Sequence, residues 1–174
     1  MATSLVLTIL GDDKPGFVEV LASAVTANGA NWLESRMTHL AGKFAGIVHI
    51  EAPEQELSAV SAALKALSSQ DLQIVVEQSG TVSATGNHST HVLELTGSDH
   101  PGIVHDFTRV LAGRKISIEE LITDTDSASM AGGKVFRATA VIRVPETVDV
   151  TDLQNDLEEL ANDLMVDISL GEDP

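Results

Sequence analysis

The sequence predicts an α+β fold built twice in tandem, each copy a four-stranded antiparallel sheet with two helices on one face. Three observations carry that expectation. Leu7-Thr8-Ile9-Leu10-Gly11-Asp12-Asp13-Lys14-Pro15-Gly16-Phe17-Val18 reads again as Leu93-Glu94-Leu95-Thr96-Gly97-Ser98-Asp99-His100-Pro101-Gly102-Ile103-Val104. Each copy is followed by the same alternation of short β-prone runs and apolar faces at helical spacing. Between them, Gly80 to Ser89 is rich in Ser, Thr, Gly and Asn, the composition of a linker. The expected organisation is a first module over residues 1–79, a linker over 80–89 and a second module over 90–174.

The offset between copies is not constant. Pro15 and Pro101 differ by 86 positions, and Ala30-Asn31-Trp32 falls on Ile116-Ser117-Ile118 at the same offset. Pro53 matches Pro145 at an offset of 92, so the second copy carries about six extra residues. The small-residue stretch from Thr125 to Gly133 is their expected place.

The elements follow in order. Leu5 to Leu10 is apolar and β-prone and reads as a strand. A turn with Asp, Pro and Gly comes next. Phe17, Val18, Leu21 and Val25 then recur at helical spacing, as do Ile103, Val104, Phe107, Val110 and Leu111, one apolar face each. Asn28-Gly29 ends the first helix, since both residues tolerate the left-handed conformation of a helix C-terminus. Trp32 to Leu40 and Phe44 to Ala52 read as two strands joined by a short hairpin connection at Ala41-Gly42-Lys43. Leu57, Val60, Leu64 and Leu67 form a second amphipathic helix, and Leu153, Leu157, Leu160 and Leu164 its counterpart. Leu72 to Val76 and Val166 to Leu170 close the two modules. The order βαββαβ, with right-handed crossovers, gives the ferredoxin-like arrangement.

Composition narrows the function classes. Apolar residues make up 43% of the 174, enough for real cores. Cysteine is absent. That removes a disulfide framework, a thiolate zinc site and a cysteine nucleophile, and it fits a reducing, cytoplasmic setting. The N-terminus shows no basic stretch followed by an apolar segment, and no apolar run has bilayer-spanning length, so neither a secretory signal nor a membrane partner is expected. Net charge is −16, with ten Lys and Arg against twenty-six Asp and Glu. Nucleic-acid affinity comes largely from cations that neutralise phosphates, and aromatics at 3% leave little for base stacking. Direct nucleic-acid binding is not expected; a protein with a basic surface is the favoured kind of partner.

The feature with chemical content is Asp-x-Pro-Gly at each strand-to-helix junction. Pro suits the first helical turn. Gly16 and Gly102 let another group approach the backbone closely. Free N–H groups at a helix start attract a carboxylate. Asp13 and Asp99 stand beside that point and have two readings: each caps the helix, or each receives a ligand ammonium. An α-amino acid carries both charges in a small space.

Other groups read more plainly. His100 and His105 are five apart, poor spacing for one metal on a helix, and no metal or cofactor is expected. His88 and His91 flank the linker and read as solvated. The run Asp152, Asp156, Glu158, Glu159 and Asp163 reads as the wet face of a helix. Trp32 reads as core. No catalytic motif occurs, and the chain is expected not to be an enzyme.

Taken together, Asp-x-Pro-Gly, an amphipathic helix, the turn Gly29-Ala30-Asn31-Trp32 and the βαββαβ order resemble ACT domains. The run Asn31-Trp32-Leu33-Glu34-Ser35-Arg36-Met37 with Phe44, and Ile118-Glu119-Glu120-Leu121 in the second copy, look similar to the glycine cleavage system transcriptional repressor family. The resemblance implies a non-catalytic regulator that acts through a DNA-binding regulator protein, with glycine as signal. It implies a ligand held between modules by the turn and by the Asn that opens the second strand. Carried over, those positions are Asp13, Pro15, Gly16 and Asn31, and then Asp99, Pro101, Gly102 and Ser117. Ser117 departs from the family's Asn, which weakens the second copy as a binder. Pairing of chains through the modules is also implied. Two further readings stand beside this one: a structural ACT pair that mediates assembly without ligand, and a regulatory arm detached from an amino-acid or folate enzyme.

Overall fold

The computed structural model describes residues 2–69, 71–80, 86–127 and 133–172. The chain divides into two compact units, Met1–Ser83 and Ala84–Pro174. The first runs β1 (Ala2–Asp12), α1 (Phe17–Ala27), β2 (Asn31–Leu40), β3 (Lys43–Pro53), a 3-10 turn (Glu54–Glu56), α2 (Leu57–Ala66) and β4 (Leu72–Gln78). The second repeats the order as β5 (His88–Ser98), α3 (Ile103–Gly113), β6 (Ser117–Ser127), β7 (Lys134–Pro145), α4 (Val150–Leu164) and β8 (Val166–Glu172). Strand orders are β2-β3-β1-β4 and β6-β7-β5-β8, the same plan twice and antiparallel throughout. Each sheet edge next to β2 or β6 carries a matching irregularity, between Trp32 and Glu34 and between Ile118 and Glu120.

Two separate apolar cores explain why these segments settle as they do. Strand side chains alternate between faces, and in the first unit Leu5, Leu7, Ile9, Val48, Ile50 and Ile74 point to one side. There they meet Leu21 and Val25 of α1 and Val60 and Leu64 of α2. In the second unit Leu93, Leu95, Ala140 and Ile142 meet Phe107 and Leu111 of α3 and Leu153 and Leu157 of α4. The expected helix faces are therefore the buried ones, except that Val18 and Val104 stay exposed. Trp32 is half-buried against the first core.

Local chemistry sets the ends. Gly29 takes φ +73 after α1, and the Asn28 side-chain amide donates to the Ala24 carbonyl at 2.8 Å, closing the helix. The β2–β3 connection is tighter than the three residues expected: Ala41 and Gly42 alone make it, at φ +50 and +78, and Lys43 already pairs with Asp12. Two consecutive positive φ values match the right-handed twist of the flanking strands. The Asp149 carboxylate accepts from the Thr151 N–H at 2.7 Å and caps α4.

Two of the plainer expectations need correction. His91 is buried at 5% exposure, not solvated, because β5 begins at His88 and puts His91 in phase with Leu93 and Leu95. Its Nε2 lies 2.9 Å from the Ser89 hydroxyl, which gives the buried ring a partner. Within the acidic run of α4, Asp156 is half-buried and its Oδ2 accepts from Arg114 Nε at 2.6 Å. Part of the linker, residues 81–85, and most of the stretch expected to hold the insertion, residues 128–132, lie outside the described residues.

Candidate functional site

Both Asp-x-Pro-Gly turns adopt one backbone shape. Gly16 has φ +92 and Gly102 φ +93, each standing at the cap position of its helix. A side chain is strained at such angles. Neither helix start receives a side-chain cap, so Asp13 and Asp99 do not hold the position that a capping carboxylate would. Around Gly16 the space is open: a Cβ there would meet nothing within 4 Å. At Gly102 it would come within 3.9 Å of an Asp106 carboxylate oxygen.

The two turns differ in what braces them. In the first unit the Asp13 N–H donates to the Gly42 carbonyl at 3.3 Å, and the Asp13 carboxylate stands 3.8 Å from His39 Nε2. Lys14 Nζ donates to Asp71 at 2.6 Å, and that bond together with the charge of Asp71 holds its ammonium above the usual pKa. Lys43 donates to Asp12 and by the same causes holds that carboxyl below its usual value. Phe17 and Phe44 pack beneath, ring centroids 6.5 Å apart. In the second unit the Asp99 N–H donates to the Lys134 carbonyl at 2.9 Å, and His100 Nδ1 lies 3.1 Å from the Pro101 carbonyl. Ser98 and His100 stand where the first copy has Asp12 and Lys14, so neither lysine–aspartate pair has a counterpart.

The residues that the resemblance groups together are not together within one unit. Asp13, Pro15 and Gly16 lie just past the end of β1. Asn31 pairs with Glu51, which pairs with Ser4 near the start of β1. At ~3.4 Å per strand residue, Asn31 and Asp13 are roughly 30 Å apart. The second unit has the same split: Ser117 pairs with Arg143, which pairs with Thr90, while Asp99, Pro101 and Gly102 follow Ser98. Asn31 and Ser117 are exposed, as are Asp13, Pro15, Gly16, Asp99, Pro101 and Gly102. Ser117 lines a cleft of about 330 Å³ with His88, Lys115, Arg143 and Glu146.

Sequence reasoning did not single out Asp12, His39, Lys43 and Asp71, which crowd the first turn. Comparison of the two copies could have found part of this group, since Asp12 and Lys14 become Ser98 and His100. Their pairing across strands is a matter of register, which no local pattern gives. Among the described residues, no group of three or more His, Asp or Glu side chains is placed to hold a metal ion, and no helix is long and apolar enough to cross a membrane.

Comparisons with known proteins agree with this architecture. A family model described as the ACT domain matches residues 3–77. The glycine cleavage system transcriptional repressor of Escherichia coli strain K12 is 22% identical over 161 residues, 92% of this chain and 85% of that protein. A crystal structure named as an unknown protein from Galdieria sulphuraria shares 30% identity over the whole of both chains, with a TM-score of 0.85. A solved structure named as a candidate glycine cleavage system transcriptional repressor superposes at a TM-score of 0.72, with 24% identity, covering 98% of this chain and 97% of that one.

Proposed function

Because residues 3–77 match the ACT domain and the second unit repeats their strand order, we propose that the chain is a tandem ACT pair and a non-catalytic regulator that responds to a small amino acid, glycine first. In this reading it works in the cytoplasm without metal or cofactor. It binds neither membrane nor nucleic acid itself and controls transcription through a DNA-binding protein partner. The relative named as a glycine cleavage system transcriptional repressor supports the regulatory part. The charge of −16 favours a partner with a basic surface.

One observation carries the ligand reading: the open, uncapped start of α1 at Gly16. A ligand carboxylate there meets free N–H groups and the positive end of the helix dipole, worth about 0.3–1 kcal/mol. Asp13 faces the ammonium. With only hydrogens on its α-carbon, glycine needs no side-chain pocket. The Asn31 amide, which both donates and accepts, comes from another copy of the chain. The start of α3 is the weaker binder, since Asp106 stands near its Gly102 and repels an anion.

Calorimetry with a panel of amino acids tests this. Glycine should bind the wild type. Asn31→Ala removes one or two hydrogen bonds, each on the order of 1 kcal/mol, and should weaken binding about tenfold while the fold survives. Ser117→Ala should change affinity little. No binding at millimolar concentration would leave the assembly-only reading in its place. A larger loss from Ser117→Ala would move the ligand to the second module.

A further inference from the structure

One end of the second sheet carries cations that the same end of the first sheet lacks. In the cleft of about 330 Å³ at that end, His88, Lys115 and Arg143 stand where the first copy has Ala2, Gly29 and Glu51. Strand register fixes the first and last of these matches. His88 pairs with Pro145 as Ala2 does with Pro53, and Arg143 joins Ser117 to Thr90 as Glu51 joins Asn31 to Ser4. The helix ends fix the other. Gly29 and Lys115 take φ +73 and +58, and the residues after them, Ala30 and Ile116, donate to the carbonyls of Val25 and Leu111. Glycine adopts that conformation without steric cost; lysine does not. The first unit shows that the fold requires neither Lys115 nor Arg143. In a molecule with ten Lys and Arg and a charge of −16, both come to one cleft, with a histidine beside them.

We propose that this cleft binds a small phosphate ester whose far end donates a hydrogen bond. Among the described residues Lys115 stands in no ion pair, and Arg143 is held by one acid, Glu119, 3.1 Å from its Nε. The planar guanidinium keeps further N–H groups for an anion. His88 donates from Nε2 when protonated, its Nδ1 lying 3.3 Å from the Gly86 carbonyl. The hydroxyls of Ser117 and Thr147 line the same space. These groups come from β5, the α3–β6 connection, the start of β6, β7 and the turn after it. Donors that arrive from several directions suit a tetrahedral phosphate, whose oxygens also point several ways, better than a planar carboxylate. The volume admits more than phosphate alone, since ligand pockets span roughly 300–1,000 Å³. Glu146 lines the cleft too, and an ionised carboxylate only accepts. It opposes a bare anion but receives the N–H or O–H at the far end of an ester. The cleft shares only Ser117 with the positions read for an amino acid, and it lies at the end of the sheet away from the Asp99 turn.

Calorimetry of the full chain in a phosphate-free buffer, with phosphoethanolamine and with ethyl phosphate, tests this. Phosphoethanolamine should bind at millimolar concentration or below, and ethyl phosphate, which lacks the amine, more weakly. Lys115→Gly installs the first copy's residue, so the fold should hold; circular dichroism checks that. This variant and Arg143→Gln should each weaken phosphoethanolamine about tenfold, the loss of one charge-assisted contact. Glu146→Gln should weaken phosphoethanolamine and spare ethyl phosphate. Malonate, a dicarboxylate, should bind less well than either ester; binding as tight as theirs would overturn the choice of phosphate. No binding of either ester at millimolar concentration would overturn the proposal as a whole. So would a folded Lys115→Gly that binds as the wild type does, because the lysine would then serve only the negative end of the α3 dipole. None of these outcomes depends on whether the chain binds glycine.

Discussion

Arg114, just past the end of α3, reaches Asp156 on α4 and also donates to the Asp152 carbonyl at 3.3 Å. The hydrogen bond from Arg114 Nε to the Asp156 carboxylate, and the guanidinium charge, hold the Asp156 carboxyl below its usual value of 3.8. A carboxyl depressed by folding stabilises the native state above its unfolded pKa, and the contribution disappears as pH falls through the folded one. Asp156→Asn should therefore lower the melting temperature at neutral pH, by no more than about 2 °C for a pair so near the surface. The difference from wild type should close once the pH has fallen well below 3.8. A gap that persists in acid would mean that packing, not charge, is what the substitution removes. The same residue shows where sequence reading stops. An acidic run at helical spacing reads as a wet face, and most of it is. Asp156 leaves that face only because Arg114 stands 42 positions away and is brought to it by the fold. His91 departs from the expected solvated position for a smaller reason: the linker composition hides the true start of β5, and a strand's phase decides burial once its first residue is known.

Among the elements, β1 and β5 are the central strands of their sheets, and a glycine near the end of each lets its neighbour approach. A Cβ on Gly11 would stand 2.5 Å from the Asp71 carbonyl oxygen, and one on Gly97 2.7 Å from Val166 Cβ. Both substitutions to Ala should cost about 1–3 kcal/mol from overpacking. They should differ in rescue. At Gly97 the obstacle is the Val166 side chain from its Cβ outward, so in a Val166→Gly background the cost of Gly97→Ala should shrink, a coupling that denaturant titration of the double-mutant cycle measures. At Gly11 the obstacle is backbone, and no trimming of a side chain should help. Equal costs of Gly97→Ala in both backgrounds would contradict this. Glycine positions of this kind were legible only as repeats of each other. Element type and order were legible because the apolar periods of strand and helix differ. The ends were less so: β1 extends from Ala2 to Asp12 rather than Leu5 to Leu10, since backbone pairing with β3 continues past the last apolar side chain.

For the whole molecule, net charge is the strongest constraint on what it meets. Of the ten Lys and Arg residues, Lys14, Arg36, Lys43, Arg114, Arg137 and Arg143 each stand in an ion pair with an acidic neighbour. Few cations remain to neutralise phosphate, so the purified protein should give no gel shift with duplex DNA at micromolar concentration and physiological salt. A salt-sensitive shift without any partner would refute that. The tandem fold could be read from the repeated Asp-x-Pro-Gly turn, because the turn and the apolar periods agree. The arrangement of the proposed site could not, because nothing in a linear motif says that Asp13 and Asn31 sit at opposite ends of the sheet. That separation has a further consequence. A ligand that touches both the turn of one chain and the Asn of another has its complete site only where two chains meet. By reciprocity, a coupling by which a bound amino acid joined two chains would equally let crowding of the chains tighten their hold on it. Such a detector reports the product of two abundances, its signal's and its own, and its threshold moves with how much of the protein the cell makes.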